Sequence, residues 1–327
     1  MSSNDKTNHG TLLFLYAETP LHAGAGSGMG AIDLPLQRER MSGLPMIQGS
    51  GLKGAWREAF HGQPKEIVED LFGPEPPGSD SDETEKAENT ENSTNGKTYQ
   101  AWAGAAAFRD ARLLLLPLRT VYGGWAWVTC PMVLERLARD LAFFGDDKPS
   151  WLDLVPDSDD QALVNTNSAV AQNELLYVED LAYKAKSENR IDSLATFLQK
   201  TLPDEPTYES FKERLTGQLA VLSDGEFRYL ASTAMEVNIR IRMDRETGTV
   251  EKGGLWSEES FPAESLLWTL VSMTKARRKR GNDTWDASSL VDWFCEVADT
   301  QTRIKLGGDQ TVGRGVVGVR TCKGGMS

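Results

Sequence analysis

Apolar and polar positions along the chain follow two periods, and each period predicts its own kind of element. Residues 11–18 (TLLFLYAE) form a short apolar run without helix caps, the mark of a central strand, which Pro20 ends. Across 50–61 the spacing lengthens, with Leu52, Ala55, Trp56 and Ala59 on one face and Lys53, Arg57 and Glu58 near the other, as in an amphipathic helix. The stretch 108–116, with its leucine run 113–116, suits a strand buried on both faces. WAWVTC gives a further strand, and Pro131 opens a helix, MVLERLARDLAFF, that Gly145 stops.

The middle of the chain, 146–230, is mixed, with a strand at 175–178 and helical patterns near 191–199, 208–217 and 225–232. Beyond it, Ile239 and Ile241 alternate with Arg240 and Arg242 before the turn pair Thr247-Gly248, which predicts a hairpin with a basic face. A strand at 265–271, a basic cluster KARRKR, a helix at 287–298 carrying Leu290, Val291 and Phe294, and a strand at 316–320 close the chain. The strongest elements read strand, helix, strand, strand, helix, strand. That is the order of a ferredoxin-like α+β domain, here a single domain with 121–235 as a mixed strand and helical insertion and 236–260 as a projecting hairpin.

Composition narrows the functional classes. Residues 74–98 consist almost wholly of Pro, Gly, Ser, Asp, Glu, Asn and Thr, too polar to offset their own ordering entropy, and are expected to be a disordered acidic insertion. The formal net charge of -13 argues against a free-standing nucleic-acid binder, so any such role needs a local basic stripe. The 3 cysteines, Cys130, Cys295 and Cys322, stand far apart and show neither disulfide nor metal-ligand spacing, which points to a cytoplasmic chain. The polar start MSSNDKTNHG is unlike a signal peptide and no apolar run approaches bilayer length, so no membrane role is expected.

The richest stretch chemically is 20–60, where glycines surround Asp33, Arg38 and Arg40 and could press backbone against an anionic, phosphate-bearing partner. Gly26 to Ala31 matches G-x-G-x-x-A, but Pro35 stands where a dinucleotide site must start its helix. GSGLKGA and GDQTVGRG each miss the phosphate-loop order, which weighs against a nucleotide-binding enzyme. His9, His22 and His61 lack partners at nucleophile or metal spacing. Trp102, Trp125, Trp127 and Trp268 fall at strand positions and read as core. On residues alone, Asp33 fits an Asx turn before Pro35 as well as a chemical role.

In order along the chain, LHAGAGSGMGAIDLPLQRE, GLPMIQGSGLKGAWRE, FRDARLLLLPLRTVYGGWAWVTCPMVLERL, ETGTVEKGGLW and IKLGGDQTVGRG resemble the Cmr4-type backbone subunits of type III-B CRISPR effector complexes, members of the RAMP superfamily. The resemblance spans most of the chain, leaves out the acidic insertion and is weakest across 146–230. It implies a ferredoxin-like palm with a hairpin thumb, and copies stacked as a filament on a crRNA guide beside other Cmr subunits. It implies antiviral defence by metal-dependent endonucleolytic cleavage of the paired single-stranded target RNA, with Mg2+ or Mn2+ and no organic cofactor. Asp33 matches the family's cleavage aspartate and is the candidate metal ligand. His22, Lys53, Arg57, Arg242, Thr247, Gly307, Gly308, Gly313, Arg314 and Gly315 are the RNA-binding residues that the resemblance implies. A backbone subunit that binds guide RNA without chemistry of its own is the alternative.

Overall fold

A computed structural model describes residues 9–28, 30–75, 102–278 and 284–323, so nearly all of the acidic stretch 74–98 lies outside the described residues. The strands are β1 (Gly10–Ala17), β2 (Met46–Ile47), β3 (Ala106–Phe108), β4 (Ala111–Arg119), β5 (Trp125–Thr129), β6 (Gln161–Val164), β7 (Ala171–Gln172) and β8 (Leu175–Val178), then β9 (Leu181–Ser187), β10 (Leu219–Val221), β11 (Glu236–Met243), β12 (Val250–Ser260), β13 (Leu266–Met273), β14 (Arg303–Lys305) and β15 (Val316–Cys322). The helices are α1 (Gly49–Ala59), α2 (Lys65–Phe72), α3 (Pro131–Leu141), α4 (Arg190–Gln199), α5 (Glu209–Gln218), α6 (Asp224–Thr233) and α7 (Ala287–Thr300).

The apolar run of β1 is buried along its whole length because it lies between β15 and β13, antiparallel to both. On its far side β13 pairs with β4, giving the sequence β15-β1-β13-β4 toward one end of a mostly antiparallel sheet, with β14 beyond β15. Helices α1 and α7 meet through Trp56, Phe60 and Phe294, with ring centroids 5.2 to 5.9 Å apart. The segment 121–235 is threaded into the same sheet: β5 pairs with β4, and β10, β6, β9, β8 and β7 continue from it.

Three expectations change at this level. The strand foreseen at 108–116 is broken in two by Arg109 and Asp110. The Arg109 amide bonds to Leu270 O at 3.1 Å while the Asp110 carboxylate accepts from the Gly49 amide at 2.8 Å, which pins the start of α1. Trp102 is not in a strand, and the Arg278 guanidinium lies 5.5 Å from its ring, whereas Trp127 and Trp268 are fully buried. Helix α2, which buries Ile67, Leu71 and Phe72, went unforeseen although Pro64 opens it.

The hairpin forms where the alternation put it, and the structure adds which way its faces turn. Among the described residues β11 and β12 pair with no other strand than each other, from Glu236↔Ser260 at the base to Met243↔Val250 beyond a bulge. Val237, Ile239, Ile241 and Leu255 form an exposed apolar face, Ile239 by 74%, while on the other, arginine-bearing face Arg240 turns toward acids at the base. Among the described residues no helix is long and apolar enough to cross a membrane.

Candidate functional site

Three consecutive residues of β12, Ser257, Glu258 and Glu259, bring together Asp33, His22, Arg38 and Arg314 of the residues that the sequence singled out. Each takes a different piece of chain.

Ser257 takes Asp33. The Asp33 amide donates to Ser257 Oγ at 3.0 Å, and Asp33 Oδ2 accepts from the Ser257 amide at 2.8 Å and from its hydroxyl at 2.9 Å. Leu34 then bonds to Ser257 O and Glu259 to Leu34 O, so the glycine-rich stretch runs beside β12 as a short parallel bridge. The Ser257 amide and hydroxyl hold the exposed Asp33 carboxyl below the usual carboxylate range, and it is ionised at neutral pH.

Glu259 is buried and closes the loop behind Asp33. Its carboxylate accepts from the Leu36 amide at 2.8 Å and pairs with the Arg38 guanidinium, whose Nη1 also donates to the carbonyls of Gly43 and Ala231. Arg38 is therefore an internal clamp rather than a free contact for an anion. His22 Nδ1 lies 2.6 Å from Glu259 O, and the His22 carbonyl accepts from the Gly308 amide at 2.9 Å. A Cβ on Gly307, at φ +82°, would stand 2.3 Å from that same carbonyl, so only glycine lets the 307–315 loop seat on His22.

Glu258 ties the same loop down from the other side. Arg240 donates to Glu258 at 2.9 Å and to Asp309 at 3.0 Å, and the Trp256 indole donates to Glu258 at 2.7 Å. Burial and the neighbouring Glu258 push the Asp309 carboxyl up; Glu258 is held below its ordinary range against its own burial by the Trp256 indole, Asp309 and Arg240. Arg314 donates to Ser260 Oγ at 3.0 Å with Glu236 and Glu258 each 3.9 Å away, so its charge is largely answered within the chain. Gly315, at φ +70°, bonds to Pro20 O, and Gly313 ends the 3-10 turn Gln310–Val312.

Lys53 and Arg57 stand elsewhere. Lys53 Nζ donates to Ala106 O in β3, which pairs with the Met273 end of β13, whereas Asp33 is held before the Leu266 end. The two cations are not brought against Asp33. Burial, then Arg57 and Arg277, lower the Lys53 pKa, so three cations crowd one place, with the exposed Glu75 carboxylate 4.0 Å from Arg57. Arg242 and Thr247 lie toward the hairpin tip, Arg242 6.0 Å over the Trp256 ring and Thr247 bonded to Asp244 and Thr249.

Sequence reasoning missed Ser257, Glu258, Glu259 and Arg240. The available signal was SEES, four polar residues in a row leading into Phe261, three of them buried. Among the described residues no group of three or more His, Cys, Asp or Glu side chains could hold a metal ion, and one Asp33 oxygen is already taken by Ser257. This donor set does not fit a resident divalent cation. A cleft of about 680 Å³ lined by Pro117, Tyr229, Met235 and Val237 contains none of the expected site residues.

The sequence model of the RAMP superfamily matches residues 14–318. The chain is 31% identical over 311 residues to the CRISPR system Cmr endoribonuclease Cmr4 of Pyrococcus furiosus, covering 94% of each protein. Its fold is similar to the crystal structure of oligomeric Cmr4 from Pyrococcus furiosus, with a TM-score of 0.67 at 24% identity over 96% of this chain and 98% of that one. It is likewise similar to a chain of the type III-B Cmr-beta complex bound to cognate target RNA, with a TM-score of 0.67 at 22% identity, covering 95% and 96%.

Proposed function

The chain belongs to the RAMP superfamily, in its Cmr4 branch, and from that membership we propose that it is the repeated backbone subunit of a type III-B effector complex that binds a crRNA guide and cuts the paired target RNA. The observation that carries this reading is the convergence of Asp33, His22 and the 307–315 loop on Ser257, Glu258 and Glu259 at the base of the hairpin. A strand of RNA crossing that base would meet an exposed carboxylate and glycine-rich backbone together. The order β15-β1-β13-β4, with α1 and α7 in the connections, supports a ferredoxin-like palm, and the hairpin would be its thumb.

Asp33, ionised at neutral pH, would accept the proton of a ribose 2'-hydroxyl as that oxygen attacks the adjacent phosphate. A 2',3'-cyclic phosphate would form while the bond to the 5'-oxygen of the next nucleotide breaks and that oxygen takes a proton from water. The donor set around Asp33 gives no support for a resident metal. Lys53, Arg57 and Arg277 offer a place for guide phosphates away from the cut. Head-to-tail contact between copies is heterologous and open, as a filament beside other Cmr subunits requires.

The test is Asp33→Ala and Asp33→Asn in the complex assembled with guide RNA. Both variants are expected to bind guide and target as the parent does and to yield no cut product. Parent-rate cleavage by Asp33→Ala would remove the catalytic assignment and leave a guide-binding backbone without chemistry.

A further inference from the structure

We propose that Ser257 is a positioning residue for the cut: it fixes the Asp33 carboxylate to the hairpin, so that the seat of the hairpin on the RNA determines which phosphate is attacked. This rests on the reading of Asp33 as the residue that cuts.

Asp33 sits in a stretch with Gly24, Gly26, Gly28 and Gly30, and it is exposed. The loop's own bonds, from the Gly28 amide to Asp33 O at 2.8 Å and from the Ala25 amide to Pro35 O at 2.9 Å, hold its main chain but not the carboxylate. A general base must reach its proton within hydrogen-bond distance, and misplacement by an ångström is costly. Ser257 supplies the missing restraint through four hydrogen bonds: two with the Asp33 carboxylate, one from the Asp33 amide and one from the Leu34 amide. Its hydroxyl accepts from the Asp33 amide and donates to Oδ2 at once, so two of the four depend on the side chain.

The restraint is attached to the hairpin itself, because Ser257 is paired across it with Ile239. The segment after Asp33 is clamped independently by Glu259 at Leu36 and Arg38, and the 307–315 loop by Glu258 and Asp309 through Arg240, so neither needs the serine. Removing the hydroxyl therefore loosens Asp33 and leaves the surrounding scaffold in place. That separation makes the role measurable.

The experiment compares Ser257→Ala and Ser257→Thr in the complex assembled with guide RNA, reading kcat, KM and the cut positions on a long paired target at single-nucleotide resolution. For Ser257→Ala the expectation is a fall in kcat of about tenfold, the worth of roughly one hydrogen bond. KM and guide affinity stay unchanged, and cuts scatter onto phosphates beside the parental one. Threonine keeps the hydroxyl and should restore both rate and sharpness. Sharp cutting at the parental rate by Ser257→Ala overturns the proposal, as does slow but sharp cutting with a lowered Tm, which is what a purely structural serine gives. Failure of threonine to restore the rate overturns it too. Asp33→Ala run alongside separates the two readings: if it still cuts, the catalytic role of Asp33 falls, and if it is silent while Ser257→Ala behaves as the parent, only the positioning role falls.

Discussion

Arg38 and Glu259, 221 positions apart in sequence, form an ion pair in which the carboxylate is 3% exposed and the guanidinium 26%. Taking away one partner of such a pair leaves the other with its desolvation cost and no compensating charge. Arg38→Ala is therefore expected to destabilise the fold by roughly 3 kcal/mol, the low end of the range because water still reaches the guanidinium. Arg38→Lys should recover only part, since an ammonium cannot reach Glu259 and the Gly43 and Ala231 carbonyls with one planar fork. Chemical denaturation of the three proteins measures both differences.

Gly307→Ala should unseat the loop from His22. The substitution puts a Cβ 2.3 Å from the His22 carbonyl at a positive φ, and that carbonyl also receives the Gly308 amide. A loss of about 2 kcal/mol or more is expected from strain and the broken bond together. Gly26→Ala, also at positive φ but with open space around the Cβ, is the control and should cost less. Thermal melts of the two variants rank them.

Glu264 makes stability depend on pH. Burial raises its carboxyl to about 7, so between the ordinary carboxylate range and about pH 7 the folded chain holds a proton that the unfolded chain has released. Stability therefore falls as pH rises through that window and is level above it. Glu264→Gln should leave stability at pH 5 nearly unchanged and raise it at pH 8 by about 1 kcal/mol, a figure discounted for the solvent that reaches the group. Melting the two proteins across pH 5 to 8 checks it, and parallel curves would exclude Glu264 as the source.

The proposed guide contact at Lys53 and Arg57 predicts an electrostatic signature. Replacing both with Ala removes two cations from a cluster that Arg277 completes, and affinity for single-stranded guide should fall by a similar factor for every sequence. The slope of log K against log salt should drop by about 1.4 for two phosphate contacts. An unchanged slope places the guide elsewhere.

What the sequence made legible is what local periodicity can encode. The run in β1 and the amphipathic spacing of α1 and α7 each concern residues within a turn or two of one another, and all three elements formed within a residue or two of where the pattern put them. The site was harder because its contacts are remote: Asp33 meets Ser257 across 224 positions and His22 meets Glu259 across 237. Alternation in β11 gave two faces for the hairpin without saying which one turns to the molecule. Glu258 and Asp309 decide that by drawing in Arg240, and the isoleucines are left outside. The lone aspartate could be noticed from sequence. What holds it could not.

The outer hairpin offers the sharpest separation of fold from function. Beyond Ile241 the two strands pair with no other strand among the described residues, and Met243, Val250 and Leu255 are all exposed, so this part adds nothing to the core. Its base is different, since Ser257, Glu258 and Glu259 hold Asp33, Arg240 and Arg38 there. Replacing 242–256 with a short glycine linker keeps all three and should leave the Tm of the chain nearly unchanged. It costs the Trp256 indole bond to Glu258, worth about 1 kcal/mol. Because Asp33 keeps its serine, cutting should persist in the assembled complex, while the regular interval between cuts is lost, since a projecting element is what would impose a period on a continuous guide-target duplex. The product ladder on a long target reads both at once. An unchanged ladder would assign the spacing to another part of the chain, and a silent complex that still folds would mean that Asp33 depends on the outer hairpin directly.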